Sequence, residues 1–67
     1  MNMIPVDSSN LEAVGYESGI LYIAFHRRGT YCYYDVPVYV YRELMRADSH
    51  DKYFHANTRN VYRYQRL

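Results

Sequence analysis

Apolar and polar positions alternate along three segments in the first half of the chain, and such alternation is typical of β-strands. The segments cover residues 11–16, 20–26 and 30–36. The middle segment is rich in β-branched and aromatic residues and predicts the central strand. The two connections, 17–19 and 27–29, each end in glycine, which suits a three-residue hairpin loop that closes in the left-handed region. The pattern therefore predicts a three-stranded antiparallel meander.

The period of the pattern changes after Pro37, a residue that suits the first turn of a helix. Apolar residues recur at helical spacing over 38–47, and Ser49 is a candidate N-cap for a second short helix over about 51–58. The predicted fold class is α+β: a three-stranded antiparallel β-meander followed by two short α-helices packed on one face, in the order β-β-β-α-α.

The length of 67 residues allows one domain, 1–67, whose folded part we expect to cover about 6–62. The sequence does not determine whether the tail, 59–67, is ordered. The single cysteine, Cys32, excludes an intramolecular disulfide, and no apolar run approaches the ~20 residues that span a bilayer. We expect a cytoplasmic protein that does not associate with membranes.

Three-residue loops determine which side chains share a face of the predicted sheet, because side chains alternate along each strand. In this register Phe25 faces Tyr31, and Gly15 faces Leu21. One face carries Leu11, Ala13, Leu21, Ile23, Phe25, Tyr31 and Tyr33. The other carries Val14, Tyr16, Tyr22, Ala24, His26, Cys32 and Tyr34. We expect the helices to cover the first face, which would leave the tyrosines of the second face open to solvent.

Tyrosine and arginine dominate the polar composition. Ten of the twelve aromatic residues are tyrosines, and seven of the eight basic residues are arginines. The net charge is only +1, but residues 1–26 sum to −3 from three acids, and residues 52–67 sum to +4 from four basic residues. Because arginine and tyrosine are enriched at binding hot spots, this composition favours a contact surface for RNA or for another protein.

Candidate catalytic and metal-ligating residues are few. His50 and His55 are five residues apart, which would place them on different faces of a helix, so they do not form a zinc-ligand pair. In the predicted register Cys32 faces Ala24 across the hairpin, so it lacks a directly opposed base and is expected to be a small apolar strand residue. The chain has no phosphate-binding glycine loop. We expect a non-enzymatic protein without a metal or cofactor.

The tyrosines of the open face are the best candidates for a binding site. In RNA-binding sheets, unstacked bases lie on such rings, which contribute about 1–3 kcal/mol each. The predicted stacking residues are Tyr16, Tyr22 and Tyr34. The predicted phosphate contacts are Arg27, Arg28, Arg59 and Arg63. Two alternatives stay open: the tyrosines fill a small core, or they form a protein interface such as a homodimer seam.

Several short stretches of the chain, taken together, resemble one known family. They are Ser8-Ser9-Asn10-Leu11, Val14-Gly15-Tyr16, Leu21 to Phe25, Gly29, Tyr31-x-Tyr33, Asp35-Val36-Pro37, Ser49 and Tyr53-Phe54. They resemble the KTSC domain, a short module found at the C-terminus of some lysyl-tRNA synthetases and as a stand-alone bacterial or phage protein. The resemblance covers roughly residues 6–62. The chain departs from the family pattern at His55, where asparagine is usual, and at Thr58, which replaces an apolar residue.

This resemblance implies a β-meander with helices and suggests RNA binding, without catalytic residues. It also implies that the central pair, Tyr31 and Tyr33, belongs to the core. We therefore expect a small binding module for RNA, including tRNA, or for single-stranded nucleic acid. The alternative function is a protein–protein interaction module, such as an accessory or inhibitory protein of a phage or other mobile element.

Overall fold

The computed structural model describes residues 2–67, which form a five-stranded antiparallel sheet and two helices. The elements in chain order are β1 (Ile4–Pro5), β2 (Leu11–Glu17), β3 (Ile20–Phe25), β4 (Gly29–Tyr33), α1 (Val38–Arg46), α2 (His50–Asn57) and β5 (Tyr64–Arg66). The strands lie side by side in the order β1-β2-β3-β4-β5. The predicted α+β class is confirmed, whereas the prediction of only three strands was wrong.

The two additional strands form the edges of the sheet. Strand β1 pairs with β2, and β5 returns from the end of α2 to pair with β4, where Tyr64 lies opposite Tyr33 and Arg66 opposite Tyr31. Beyond β5, the amide of Leu67 donates to the carbonyl of Thr30 at 2.8 Å. The sheet therefore extends past both ends of the predicted folded part, 6–62.

The first hairpin is closed by a two-residue turn and not by the predicted three-residue loop. Ser18 and Gly19 both have positive φ, at 53° and 81°, and Glu17 pairs with Ile20. This is the geometry of the tight turns whose twist matches that of the flanking strands. The pairing is shifted by one residue from the predicted register, so the side chains of β2 next to the turn exchange faces.

The shift corrects the predicted position of Tyr16. Val14 now lies opposite Ile23, and Tyr16 opposite Leu21, which places both β2 residues on the face that the helices cover. The ring of Tyr16 stacks on Tyr41 of α1 with centroids 5.4 Å apart, and its hydroxyl donates to a backbone carbonyl. Tyr16 was predicted on the open face, and that prediction was wrong.

A β-bulge between Leu11 and Ala13 brings the start of β2 back into the predicted register, with Leu11 opposite Phe25. A bulge inserts one extra residue into a strand and thus changes which face the following residues occupy. Because of this bulge, Leu11 and Val14 both point into the core and are fully buried, although they are three residues apart, an odd spacing that would place them on opposite faces of a regular strand. Strict alternation along β2 could not produce this arrangement.

The second hairpin differs from the prediction without exchanging faces. Phe25 pairs with Gly29, so the loop consists of residues 26–28, and Ile23 lies opposite Tyr31. Arg27 and Gly29 adopt positive φ, at 68° and 87°. The register is shifted by two residues from the predicted pairing of Phe25 with Tyr31, and a shift of two keeps every side chain on its predicted face.

The hydrophobic core lies between one face of the sheet and the two helices. Its buried members are Leu11, Val14, Leu21, Ile23, Tyr33, Val36, Val40, Leu44 and Phe54. The bounds of α1 and α2 agree closely with the predicted helices, and the predicted N-cap is confirmed, since Ser49 Oγ accepts from the amide of Lys52 at 3.2 Å. In the described part of the chain, neither helix is long and apolar enough to cross a bilayer.

The helix layer is also tied to the edge of the sheet by hydrogen bonds. Asp51, in the first turn of α2, accepts from the hydroxyls of Ser8 and Ser9 at 2.5 and 2.8 Å. These serines lie between β1 and β2, more than forty residues earlier in the chain. The contact joins the N-terminal loop to α2.

Tyr16 and Tyr22 lie on opposite faces of the sheet, so we expect the same substitution to change the free energy of unfolding differently at the two positions. Tyr16→Phe removes a hydroxyl that donates to the carbonyl of Val36, so we expect the free energy of unfolding to fall by about 1 kcal/mol. Tyr22→Phe, on the other face, is expected to change it by less than about 0.5 kcal/mol. Urea denaturation of both variants measures the difference. A larger loss for Tyr22→Phe than for Tyr16→Phe would contradict the observed register.

Candidate nucleic-acid interface

The open face of the sheet keeps two of the three tyrosines predicted for it. Tyr22 on β3 lies opposite Cys32 on β4, and Tyr34 follows Cys32 by two residues. The two tyrosines are therefore diagonal neighbours on this face, and long aromatic side chains can reach across such a separation. Both are half-buried. Cys32 between them is only 4% exposed, so its thiol is poorly accessible.

Arg63 joins this face from the segment before β5. Its guanidinium lies over the Tyr34 ring, 5.4 Å from the centroid, and the hydroxyl of Tyr34 donates to Gln65 at 3.0 Å. A nitrogen of Arg63 is also 3.9 Å from a carboxylate oxygen of Asp35. Both charged groups are largely exposed, so this ion pair contributes little to stability, but the acid partly offsets the positive charge of Arg63.

On the covered side, the second hairpin, β4, β5 and the C-terminal end of α2 enclose a pocket of about 270 Å³, which we name the aromatic–basic pocket. Its aromatic lining consists of Phe25, Tyr31, Tyr33, Phe54 and Tyr64. Its polar lining consists of Arg28, His55, Arg59 and Asn60. No carboxylate is among the lining residues.

The rings of the pocket support one another. Tyr64 packs against both Tyr31 and Tyr33, with centroids 5.9 and 5.7 Å apart. Phe54 presents an edge contact to Tyr33 at 5.6 Å and another to Phe25 at 5.4 Å. Tyr33 and Phe54 are buried, whereas Tyr64 is 56% exposed. A bound aromatic group could therefore reach the Tyr64 ring, and the buried rings would hold that ring in position.

The pocket brings together Arg28 from the hairpin loop and Arg59 from the turn after α2. Within residues 2–67, neither guanidinium forms an ion pair with a carboxylate. Arg59 Nη1 lies 3.3 Å from His55 Nδ1. Because a guanidinium can only donate, that nitrogen of His55 must be unprotonated in this contact. The positive charge of the pocket thus comes from two arginines that can each bind an anion.

Tyr33, one of the buried rings of the pocket, has a raised pKa. Burial raises the pKa of Tyr33 to about 12, the nearby phenols of Tyr31 and Tyr64 add to the rise, and the charge of Arg59 opposes it. Tyr33 therefore stays neutral at physiological pH and contributes no negative charge to the pocket.

The seven predicted site residues are thus distributed over four places. Arg28 and Arg59 share the aromatic–basic pocket, while Tyr22, Tyr34 and Arg63 lie on or beside the open face. Arg27 is exposed at the tip of the hairpin, and Tyr16 is packed under α1. In the described part of the chain, no three His, Cys, Asp or Glu side chains lie close enough to hold a metal ion.

Related sequences and a closely similar fold are found in known proteins. The family model described as the KTSC domain matches residues 7–62. This chain belongs to the KTSC domain family. A protein of Tsukamurella paurometabola is 45% identical over 49 residues, which cover 70% of this chain and 73% of that protein. The crystal structure of a KTSC domain protein from Yersinia pestis superimposes with a TM-score of 0.95 at 28% identity, over 98% of this chain and 96% of that one.

Among the pocket residues of this KTSC domain that are not buried, five were not predicted as site residues from the sequence: Phe25, Tyr31, His55, Asn60 and Tyr64. Tyr31 was assigned to the core with Tyr33, but only Tyr33 is buried, and Tyr31 is a half-buried wall of the pocket. Tyr64 lies in the tail, whose alternation of tyrosines with polar residues over 62–66 is itself a strand signal. That alternation could have indicated β5 and hence the position of Tyr64.

Thr58, at the start of the turn after α2, is the one polar residue that is buried in the described part of the chain. Thr58 is fully buried, and its hydroxyl has no hydrogen-bond partner within the described residues, although its amide donates to the carbonyl of Phe54 at 2.9 Å. A buried hydroxyl without a partner costs about 1–3 kcal/mol. Despite this cost, the turn that begins at Thr58 places Arg59 and Asn60 at the pocket.

An apolar residue in place of Thr58 is expected to stabilise the domain. Thr58→Val removes the unpaired hydroxyl and keeps the branched shape, so the free energy of unfolding should rise by about 1 kcal/mol. Thr30→Val on the half-buried open side of β4 is the matched control, expected to change it by less than about 0.5 kcal/mol. Thermal and urea unfolding give both values. A loss of stability in Thr58→Val would show that the hydroxyl is satisfied in solution.

Proposed function

We propose that this KTSC domain is a non-enzymatic module that binds RNA or other single-stranded nucleic acid, with the aromatic–basic pocket as its anchor. One observation carries the proposal: Arg28 and Arg59, neither of which is paired with a carboxylate, line the same pocket as the accessible ring of Tyr64. Guanidinium groups position phosphates, and aromatic rings stack on unpaired bases. The pocket supplies both within one small volume.

The open face offers a second contact for the same strand. Tyr33, the last residue of β4, lines the pocket, and the next residue, Tyr34, points to the open face, because side chains alternate along an extended chain. The edge strand β5 and Arg63 before it separate the two surfaces. A single strand anchored in the pocket would pass around this edge and reach Tyr34 and Tyr22.

The charge distribution supports a binding mode of moderate strength. Residues 52–67 sum to +4 from four basic residues and no acid, while the whole chain carries only +1. Such a domain attracts phosphates at one end without the strongly basic surface of a general nucleic-acid binder. The occurrence of related domains in lysyl-tRNA synthetases agrees with RNA as the ligand.

The test compares two double variants that remove the same charge from different places. Arg28→Gln/Arg59→Gln alters the pocket, and Arg42→Gln/Arg46→Gln alters exposed positions on α1. Fluorescence anisotropy with a labelled single-stranded RNA and with tRNA, each at two salt concentrations, gives affinity and salt dependence. We expect the pocket variant to lose at least about tenfold in affinity, because each charged hydrogen bond contributes roughly 1.5–3 kcal/mol.

The salt dependence provides an independent measure of the same contacts. Loss of two phosphate contacts should reduce the slope of log affinity against log salt by about 1.4, whereas the α1 variant should retain nearly the full slope. Tyr64→Ala should lower the affinity by the contribution of one stacked base, about 1–3 kcal/mol. If the unmodified domain binds RNA no more tightly than the pocket variant, the proposal fails.

A second candidate function, protein binding, is favoured by large apolar side chains at the surface. Val38 and Tyr39 at the start of α1 are 42% and 58% exposed, and Val61 is 59% exposed. Exposed apolar residues that adjoin one another are typical of protein-contact sites. This candidate predicts protein partners that survive nuclease treatment.

Affinity capture from a bacterial lysate, with and without nuclease, separates the two candidates. If the domain is a protein-binding module, partners should stay bound to the unmodified domain and to Arg28→Gln/Arg59→Gln after nuclease treatment. They should be lost from Val38→Ser/Tyr39→Ser, since the substitution removes the exposed apolar pair. Partners that disappear on nuclease treatment alone would contradict protein binding.

A further inference from the structure

We infer that the aromatic–basic pocket recognises a nucleotide that carries a terminal phosphate monoester, in preference to an internal phosphodiester. The inference rests on the proposed function, because it assigns a ligand class to the same site. The chemistry is shared by the phosphorylated end of a strand and by a free mononucleotide. Size, charge and the composition of the lining each support it.

The size of the pocket limits its occupant to about one nucleotide unit. Its volume, about 270 Å³, lies just below the ~300 Å³ at which pockets for small organic ligands begin. Three separate segments line it: the hairpin with Arg28, strand β5 with Tyr64, and the turn after α2 with Arg59 and Asn60.

The charge of the pocket exceeds that of an internal phosphate. A phosphodiester carries one negative charge, whereas a phosphate monoester carries about −1.5 to −2 at neutral pH. Arg28 and Arg59 present two positive charges, and no acid lines the pocket to offset them. Arg63 on the open face differs, because Asp35 lies 3.9 Å from it. A dianionic phosphate therefore matches the pocket better than it matches the open face.

The remaining lining favours a nucleotide over inorganic phosphate alone. Tyr31 and Tyr64 form a ring pair 5.9 Å apart, with Tyr64 accessible at the rim, and a base can stack on that surface. Asn60 adds an amide that both donates and accepts hydrogen bonds, as base edges require. Inorganic phosphate would use the arginines and leave the rings and the amide without a partner.

The experiment uses one short RNA sequence in three forms: unphosphorylated, 5′-phosphorylated and 3′-phosphorylated. Adenosine monophosphate, adenosine and inorganic phosphate serve as competitors. We expect one of the phosphorylated forms to bind at least about tenfold more tightly than the unphosphorylated form, since a second charged contact adds about 1.4 kcal/mol or more. Adenosine monophosphate should compete more strongly than either adenosine or phosphate.

The variants locate this preference in the pocket. It should disappear in Arg28→Gln/Arg59→Gln, fall in each single variant, and persist in Arg42→Gln/Arg46→Gln. Because the arginines are exposed, their replacement should leave the unfolding temperature nearly unchanged, which a thermal melt checks. Persistence of the preference in the pocket double variant would overturn the assignment to this pocket.

The outcomes for this inference and for the proposed function differ. Equal affinity for all three RNA forms overturns the preference for a phosphate monoester and leaves RNA binding in place. Direct binding of adenosine monophosphate, with no binding of any RNA form, supports the nucleotide site and overturns strand binding. Tighter binding of a phosphorylated RNA end, with weaker binding of the mononucleotide, identifies the strand end as the ligand.

Discussion

The two-residue turn at Ser18 and Gly19 is the constraint on which the arrangement of the sheet depends. Both residues adopt positive φ, and this closes the hairpin between β2 and β3 with Glu17 directly opposite Ile20. The pairing determines which face every residue of β2 near the turn occupies. It brings Tyr16 beneath α1 and leaves Tyr22 on the other side. The packed position of Tyr16 follows from this one turn.

The aromatic–basic pocket depends on a second pairing, that of β5 with β4. Tyr64 reaches the pocket only because it lies opposite Tyr33 in this ladder, and its ring then contacts Tyr31 and Tyr33. Arg59 arrives from the turn after α2, where the buried Thr58 precedes it. Residues from two distant parts of the chain, 25–33 and 54–64, thus form one pocket. As a result, Arg59 from the basic C-terminal segment and Arg28 from the hairpin line the same pocket.

The regular elements of this domain were predictable from local patterns, whereas the pairing between them was not. Helices α1 and α2 and the Ser49 cap follow from periodicity and side-chain chemistry within a few residues. The register of the first hairpin depends on whether the loop contains two or three residues, and Glu17-Ser18-Gly19 is compatible with both. The bulge near Glu12 adds a further uncertainty that no alternation pattern resolves. A one-residue difference then moved Tyr16 from one face to the other.

The candidate site was predictable in composition and not in geometry. Arg28 and Arg59 were selected because arginine suits phosphate, but they share a pocket only because the hairpin and the turn after α2 lie close together in the fold. Tyr31 was assigned to the core from the sequence. Its position at a wall of the pocket could not be predicted, because it depends on the contact with the distant residue Tyr64. Contacts between residues far apart in sequence are the information that local patterns lack.

The shortness of β5 links occupancy of the pocket to local order at the end of the sheet. Three residues on an exposed edge are held by few backbone contacts, and such segments open at a small fraction of the free energy needed to unfold the whole domain. When β5 detaches, Tyr64 leaves its partners and the pocket loses one wall. The affinity of any ligand is then scaled by the fraction of molecules in which β5 is attached. Under the proposed function, a ligand bound at Tyr64 would in turn protect the amides of this strand from exchange with solvent.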